Sequence, residues 1–236
     1  MNQPRLNAII NKFNETTGET YVASTVTGYP RRFTAADDLT TVDGENYTAA
    51  AKVALAIMAI NDLLAQAVAH DGPDKTAQAF PQYVCRIVAT GAQVAADNNE
   101  FSIEVPTNHG WPLAARLVLG IGGQYEHGYD VVRDGSFRLL NNTYLTGNAE
   151  TASNPVGYVA AETGTNGAMT GKTLFVIAFR DGSNASVDLA PQKITYYYLA
   201  LQEDVTGGST VDVRMPAFAD HLIVARMKQL ADLYKT

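Results

Sequence analysis

Apolar residues change their spacing twice along the chain. Near the start, Leu6, Ile9, Ile10 and Phe13 recur at helical intervals, predicting a helix over residues 4–14 that Gly18 closes. A second, long helix is predicted over residues 46–70. Val53, Ile57, Ile60 and Leu64 line one of its faces, while Leu55, Met58, Leu63 and many alanines make other faces apolar as well. A helix that is apolar on several sides belongs in the middle of a helical bundle. Asp71-Gly72-Pro73 predicts its end, with a Gly and a Pro just past the last turn.

From Pro81 the texture becomes that of strands, predicted at 82–88, 100–105, 114–120, 125–133, 137–140, 157–161, 173–179 and 192–201. Ala96-Asp97-Asn98-Asn99, Gly122-Gly123, Asn141-Asn142 and Asp181-Gly182 supply the turns between them. Arg-Asp-Gly-Ser occurs twice, at 133–136 and 180–183, each time after an apolar run, and both copies are expected as hairpin turns. Residues 146–171, rich in Gly, Asn, Thr and Ala, are expected as a long exposed loop that reaches a neighbouring molecule. At Pro216 the helical period returns, with Ile223, Met227, Leu230 and Tyr234 on one stripe. Pro216 suits a first helical position, where a missing N–H costs nothing.

These elements predict an α+β protein. Its N- and C-terminal helices form a bundle beside a β-rich middle region that is sandwich-like or barrel-like. The expected division is an N-terminal helical part at 1–80, a β-rich region at 81–204, and a C-terminal helix within 205–236 that packs back on the first helices. In that packing, Phe218, Leu222, Ile223, Met227, Leu230 and Tyr234 meet Val53, Ile57, Ile60 and Leu64.

Composition narrows the function. With 46% hydrophobic and 17% charged residues, the chain is a globular protein with a lightly charged surface, which fits one that partners cover. A net charge of −7 argues against broad nonspecific nucleic-acid binding. The single Cys85 sits in a strand-like run and is expected as a small buried hydrophobe. No secretory leader is expected from the polar start, and no membrane segment from Val53–Ile60, which Lys52 and Asn61-Asp62 bracket.

Catalytic motifs are absent from the sequence. His70, His109, His127 and His221 are far apart, there is no G-x-S-x-G, and Ile121-Gly122-Gly123 is too short to cradle a phosphate. Asp37-Asp38 with Asp43 lacks the spacing of a calcium loop and is expected as a solvated cluster before the long helix. Arg31-Arg32 beside Tyr29 and Phe33 is too small to be a nucleic-acid patch. His109 in Thr107-Asn108-His109-Gly110-Trp111 is the most suggestive histidine, expected in a turn anchored by the indole. The expectation is therefore no enzyme, no cofactor and no metal site.

The C-terminal quarter adds a resemblance. Tyr197-Tyr198-Leu199-Ala200-Leu201-Gln202-Glu203-Asp204-Val205-Thr206 is followed by Pro216-Ala217-Phe218-Ala219-Asp220-His221-Leu222-Ile223-Val224-Ala225. This Tyr-rich strand, polar loop and Pro-led helix resembles the head-to-tail adaptor (neck, or tail tubular A-like) proteins of tailed bacteriophages. The first helix departs from that family's pattern and matches it loosely at Leu6-Asn7-Ala8. The resemblance implies a structural virion protein of the neck or tail, made in the host bacterial cytoplasm. It implies a homo-oligomeric ring, commonly a dodecamer, that joins portal to tail proteins and passes genomic DNA through its lumen without reading its sequence. On that picture His109, Trp111, Asn154, Tyr158 and Asn166 are candidate contacts to neighbours or partners. Two other readings stay open: a carbohydrate- or receptor-binding β module of a phage tail, or another tail or baseplate structural protein. A further alternative is an enzyme with a pocket around His109 or Asp37-Asp38.

Overall fold

The computed structural model describes residues 4–19, 46–90, 95–97, 100–119, 125–130, 156–164, 167–178, 191–203 and 213–233. The fold is mixed α+β in two compact units. One comprises Met1–Tyr83 with Leu201–Thr236, and the other is Val84–Ala200.

The helical unit contains α1 (Pro4–Thr17), α2 (Ala49–Asp71), α3 (Pro73–Ala79) and α4 (Asp220–Leu233). Gly18, at φ +67°, ends α1 in a left-handed conformation that a residue with a Cβ adopts only at a cost. Thr48 caps α2, its hydroxyl accepting from the Ala51 N–H. α2 packs against α1 and α4, and α1 packs against α4. The buried residues Leu6, Ile9, Ile10 and Phe13 of α1, Val53, Ala56, Ile60 and Leu64 of α2, and Ile223 and Met227 of α4 supply the apolar interior. By length and composition alone α2 would suffice to cross a membrane. In the folded chain one face of it lies buried.

Gly72-Pro73 does end α2, but it also starts α3. Gly72, at φ +79°, turns the chain, and Pro73 then occupies the first turn of a new helix, where its missing donor is no loss. Thr76 reinforces the junction by donating from its hydroxyl to the Gly72 carbonyl at 2.8 Å.

Among the described residues the second unit holds eight strands in two antiparallel sheets. β1 (Val84–Thr90), β8 (Pro191–Ala200), β4 (His109–Leu119) and β5 (Tyr125–Asp130) lie side by side in that order. The other sheet runs β2 (Ala95–Asp97), β3 (Glu100–Glu104), β7 (Met169–Ala178) and β6 (Val156–Thr163). β8 is an inner strand flanked along its length by β1 and β4. From Lys193 to Tyr198 it alternates: Ile194, Tyr196 and Tyr198 are buried, while Lys193, Thr195 and Tyr197 point to the opposite face. One core cluster draws on both sheets, including Ala89, Ile103, Ala115, Phe175, Ile194 and Tyr196. The rings of Phe175 and Tyr196 stack with centroids 4.0 Å apart. Among the described residues neither sheet closes into a barrel.

Two expectations need correction here. The run 146–171 is not one continuous loop: residues 156–163 form β6, pairing with β7 across a hairpin bond from Gly164 N–H to the Ala168 carbonyl. The strand predicted at 157–161 is thus found as β6, and its Tyr158 and Val159 have strong β preference. The expected turn at 96–99 also starts inside a short strand, β2, with Asp97 opposite Glu100. The candidate strand at 137–140 and both Arg-Asp-Gly-Ser turns lie outside the described residues.

Candidate functional site

α4 buries one apolar face. Ile223, Val224, Met227 and Ala231 are buried, and Leu230 is half-buried beside them. On the far side Leu222 is 46% and Leu233 67% exposed, with Arg226 and Gln229 between them, and Phe218, just before the helix, is 72% exposed. Phe218 and Leu222 were expected in the helix packing and are not part of it. The α-helix begins only at Asp220, after a 3-10 turn over Ala217–Ala219, and its phase turns both side chains outward. Of the other packing residues, Val53, Ile60, Leu64, Ile223 and Met227 are buried, Ile57 and Leu230 are half-buried, and Tyr234 lies outside the described residues.

Polar contacts fix α4 in place. The Arg5 guanidinium donates to Asp220 Oδ1 at 2.6 Å from Nη2 and 3.3 Å from Nε, and to the Val213 carbonyl at 3.2 Å. Asp220 is also the first residue of α4, where a carboxylate complements the helix dipole. Further along, Arg226 pairs with Asp62 of α2 and donates to Gln229 Oε1 at 2.8 Å. Between α1 and α4 runs an open groove of about 410 Å³, with Val224 and Ala225 on its floor and Lys12, Glu15, His221 and Lys228 on its rim.

Sequence reasoning missed the polar clusters within the helical unit. Lys52 and Glu19 are both buried, with Nζ 3.6 Å from Oε1. The Glu19 carboxylate also accepts from the Asn46 and Tyr47 backbone N–H groups at 3.0 Å and from Asn46 Nδ2 at 2.9 Å. Asn61 faces Gln202 as a strand would, donating to its carbonyl at 3.3 Å and accepting from its N–H at 2.7 Å. The Gln202 side chain, in turn, accepts from the Arg214 N–H at 3.0 Å. Tyr83 is fully buried, and burial raises its phenol pKa against the opposing pull of Arg214 and Arg5. A Lys in the second turn of an apolar helix was the available signal for the Glu19 pair.

In the β unit His109 opens β4 directly after a tight bond from its own N–H to the Pro106 carbonyl at 3.0 Å. Its Nε2 is 2.7 Å from the Tyr196 hydroxyl, and its ring stacks on Tyr198 with centroids 5.0 Å apart. Burial holds the His109 pKa below its ordinary value, favouring the neutral ring. Trp111 follows on the same strand, half-buried and in register with Leu199. Tyr158 is half-buried on β6. Asn154, Asn166 and the Asp37-Asp38-Asp43 cluster lie outside the described residues. His109 thus joins an aromatic stack with Tyr196, Tyr198 and Phe175, an arrangement that fixes a strand end and orients side chains. Cys85 is half-buried and packs against the same core from β1.

Among the described residues no three His, Cys, Asp or Glu side chains come together as a metal site would require. No protein-family model and no curated protein matches the chain.

Proposed function

We propose that this chain is a structural virion protein of a tailed bacteriophage: a ring-forming adaptor that joins portal to tail and lines the DNA passage, without bond chemistry of its own. In this reading α1, α2 and α4 act as a bundle and the two sheets as a sandwich, joined through the shared core that includes the Phe175–Tyr196 stack. The observation that carries the proposal is the exposure of Phe218 and Leu222. They lie four residues apart where the chain enters α4, and at 72% and 46% exposed they leave large apolar side chains in solvent beside the helix that closes the core. Single exposed hydrophobes are ordinary, but such a pair at the start of a core helix fits a protein whose surface is covered by partners. The segment bearing Phe218 and Leu222 also carries the resemblance to the adaptor family.

The role of such a protein is assembly. Its subunits form a heterologous ring in which each copy offers two different, complementary patches. Native mass spectrometry of the purified chain tests the proposal. A large closed ring that also co-purifies with portal is the expected result; a monomer with turnover of a small molecule overturns it.

A further inference from the structure

Among the described residues the two sheets end in four edge strands: β1 and β5 bound one sheet, β2 and β6 the other. An open edge is a row of backbone donors and acceptors with which another strand can pair. Folded proteins blunt such edges with short strands, charges, proline or bulges. Three of the four edges are blunted. β2 is three residues long. β5 carries Glu126, Gly128 and Asp130 within its six residues. β6 has Gly157 near its start, and its ladder breaks register between Ala161 and Thr163, beside Glu162.

β1 differs from all three. Val84-Cys85-Arg86-Ile87-Val88-Ala89-Thr90 has no Gly, no Pro and one charge, and its ladder to β8 runs through every residue without a register break. Val84, Ile87, Val88 and Thr90 are β-branched, which favours extended chain. On the core face Ala89 is buried, while Cys85 and Ile87 pack against the core only half-buried. On the other face Val84 and Val88 are 36% and 40% exposed. A regular edge with apolar side chains on both faces is the kind that pairs with another chain.

We propose that β1 pairs antiparallel with β1 of a second copy of the chain, joining two four-stranded sheets into one. A two-fold axis at Ile87 is the register that pairs every residue of the strand. Val84 then meets the partner's Thr90, and Arg86 meets the partner's Val88, so no like charges sit directly opposite. On the core face Ile87 meets its own counterpart and Cys85 meets the partner's Ala89, which carries the apolar row across the axis. Shifting the axis to Arg86 would set two guanidinium groups against each other and leave Ala89 and Thr90 unpaired. The same strand supplies both surfaces, so the contact is isologous and closes at two copies. It is independent of the heterologous ring contact proposed above.

The test is sedimentation velocity on the full chain over a range of concentrations, comparing wild type with Val88→Glu and Val88→Lys, each checked for native circular dichroism. Both changes fall at an exposed position. The glutamate faces the partner's Arg86 twice per dimer, whereas the lysine sets like charges there. The expected result is that wild type dimerises and that Val88→Glu does so roughly tenfold more tightly than Val88→Lys. Raised salt should narrow that difference. Hydrogen exchange of wild type gives a second readout that needs no variant: the alternate β1 amides turned away from β8 should gain protection as concentration rises. A wild-type chain that stays monomeric overturns the inference. So does association to which the two variants respond alike, and a large ring of that kind leaves the ring proposal standing. Protection of β1 that appears only on adding a different virion protein assigns the edge to that partner and overturns self-pairing.

Discussion

Lys52 and Glu19 form an ion pair with both side chains withdrawn from water, 3.6 Å apart, where α1 ends and α2 begins. Glu19 accepts three further hydrogen bonds from Asn46 and Tyr47, so its carboxylate ties together the two ends of the segment between α1 and α2. Removing one charge strands the other in a poorly solvated place. Glu19→Ala is expected to cost about 3–5 kcal/mol, and Lys52→Ala a similar amount. The double variant Glu19→Ala with Lys52→Ala should lose clearly less than the sum of the single effects. Urea unfolding followed at 222 nm checks this, and strict additivity would refute the coupling.

The buried face of α4 and the exposed pair Phe218 and Leu222 separate folding from assembly. Met227→Ala opens a cavity in the helical core and is expected to destabilise by about 2–5 kcal/mol. Leu222→Ala and Phe218→Ala remove exposed groups and should leave chain stability within about 0.5 kcal/mol. If the proposed function holds, the latter pair lowers the assembled fraction while the melting temperature of the dissociated chain stays unchanged. Differential scanning calorimetry paired with native mass spectrometry reads both quantities.

His109 gives the β unit a dependence on pH. Its folded pKa lies below the ordinary value of about 6.5, so between the two values the unfolded chain binds more protons than the folded one. Stability from this group is complete above about pH 6.5 and is lost as pH falls through the folded pKa. His109→Gln should flatten that acid-side loss. Denaturant melts at pH 7.5 and 5.5, monitored by near-ultraviolet circular dichroism of the tyrosines, measure the difference. An unchanged slope would remove His109 as its source.

Asn61 acts as a short strand, satisfying both backbone groups of Gln202. Asn61→Leu is expected to cost about 1–3 kcal/mol, because it leaves a buried donor and acceptor unpaired. Amide exchange at Gln202 should accelerate with it, and a protected Gln202 amide in the variant would contradict the assignment.

The sequence displayed periodicity well and register poorly. The stripe Val53, Ile57, Ile60 and Leu64 placed α2 within a few residues, and the Tyr-rich run through Tyr198 placed β8. Phe218 and Leu222 were misread because an apolar residue near a helix start looks the same whichever way the first turn aims it. Gly72-Pro73 was read as a stop, although the same pair both ends one helix and begins the next. The polar contacts of Lys52, Asn61 and Arg5 join residues far apart in sequence, so no local pattern announces them.

Val84, where the chain enters the sheets, and Leu199, just before it leaves them, are direct partners on one antiparallel rung. Antiparallel partners sit about 5 Å apart, so a turn of a few residues spans the gap that the whole β unit now fills. The sheets are thus a removable cassette on a helical chassis. A short linker from Tyr83 to Leu201 would reconnect the helical unit without stretching its chain.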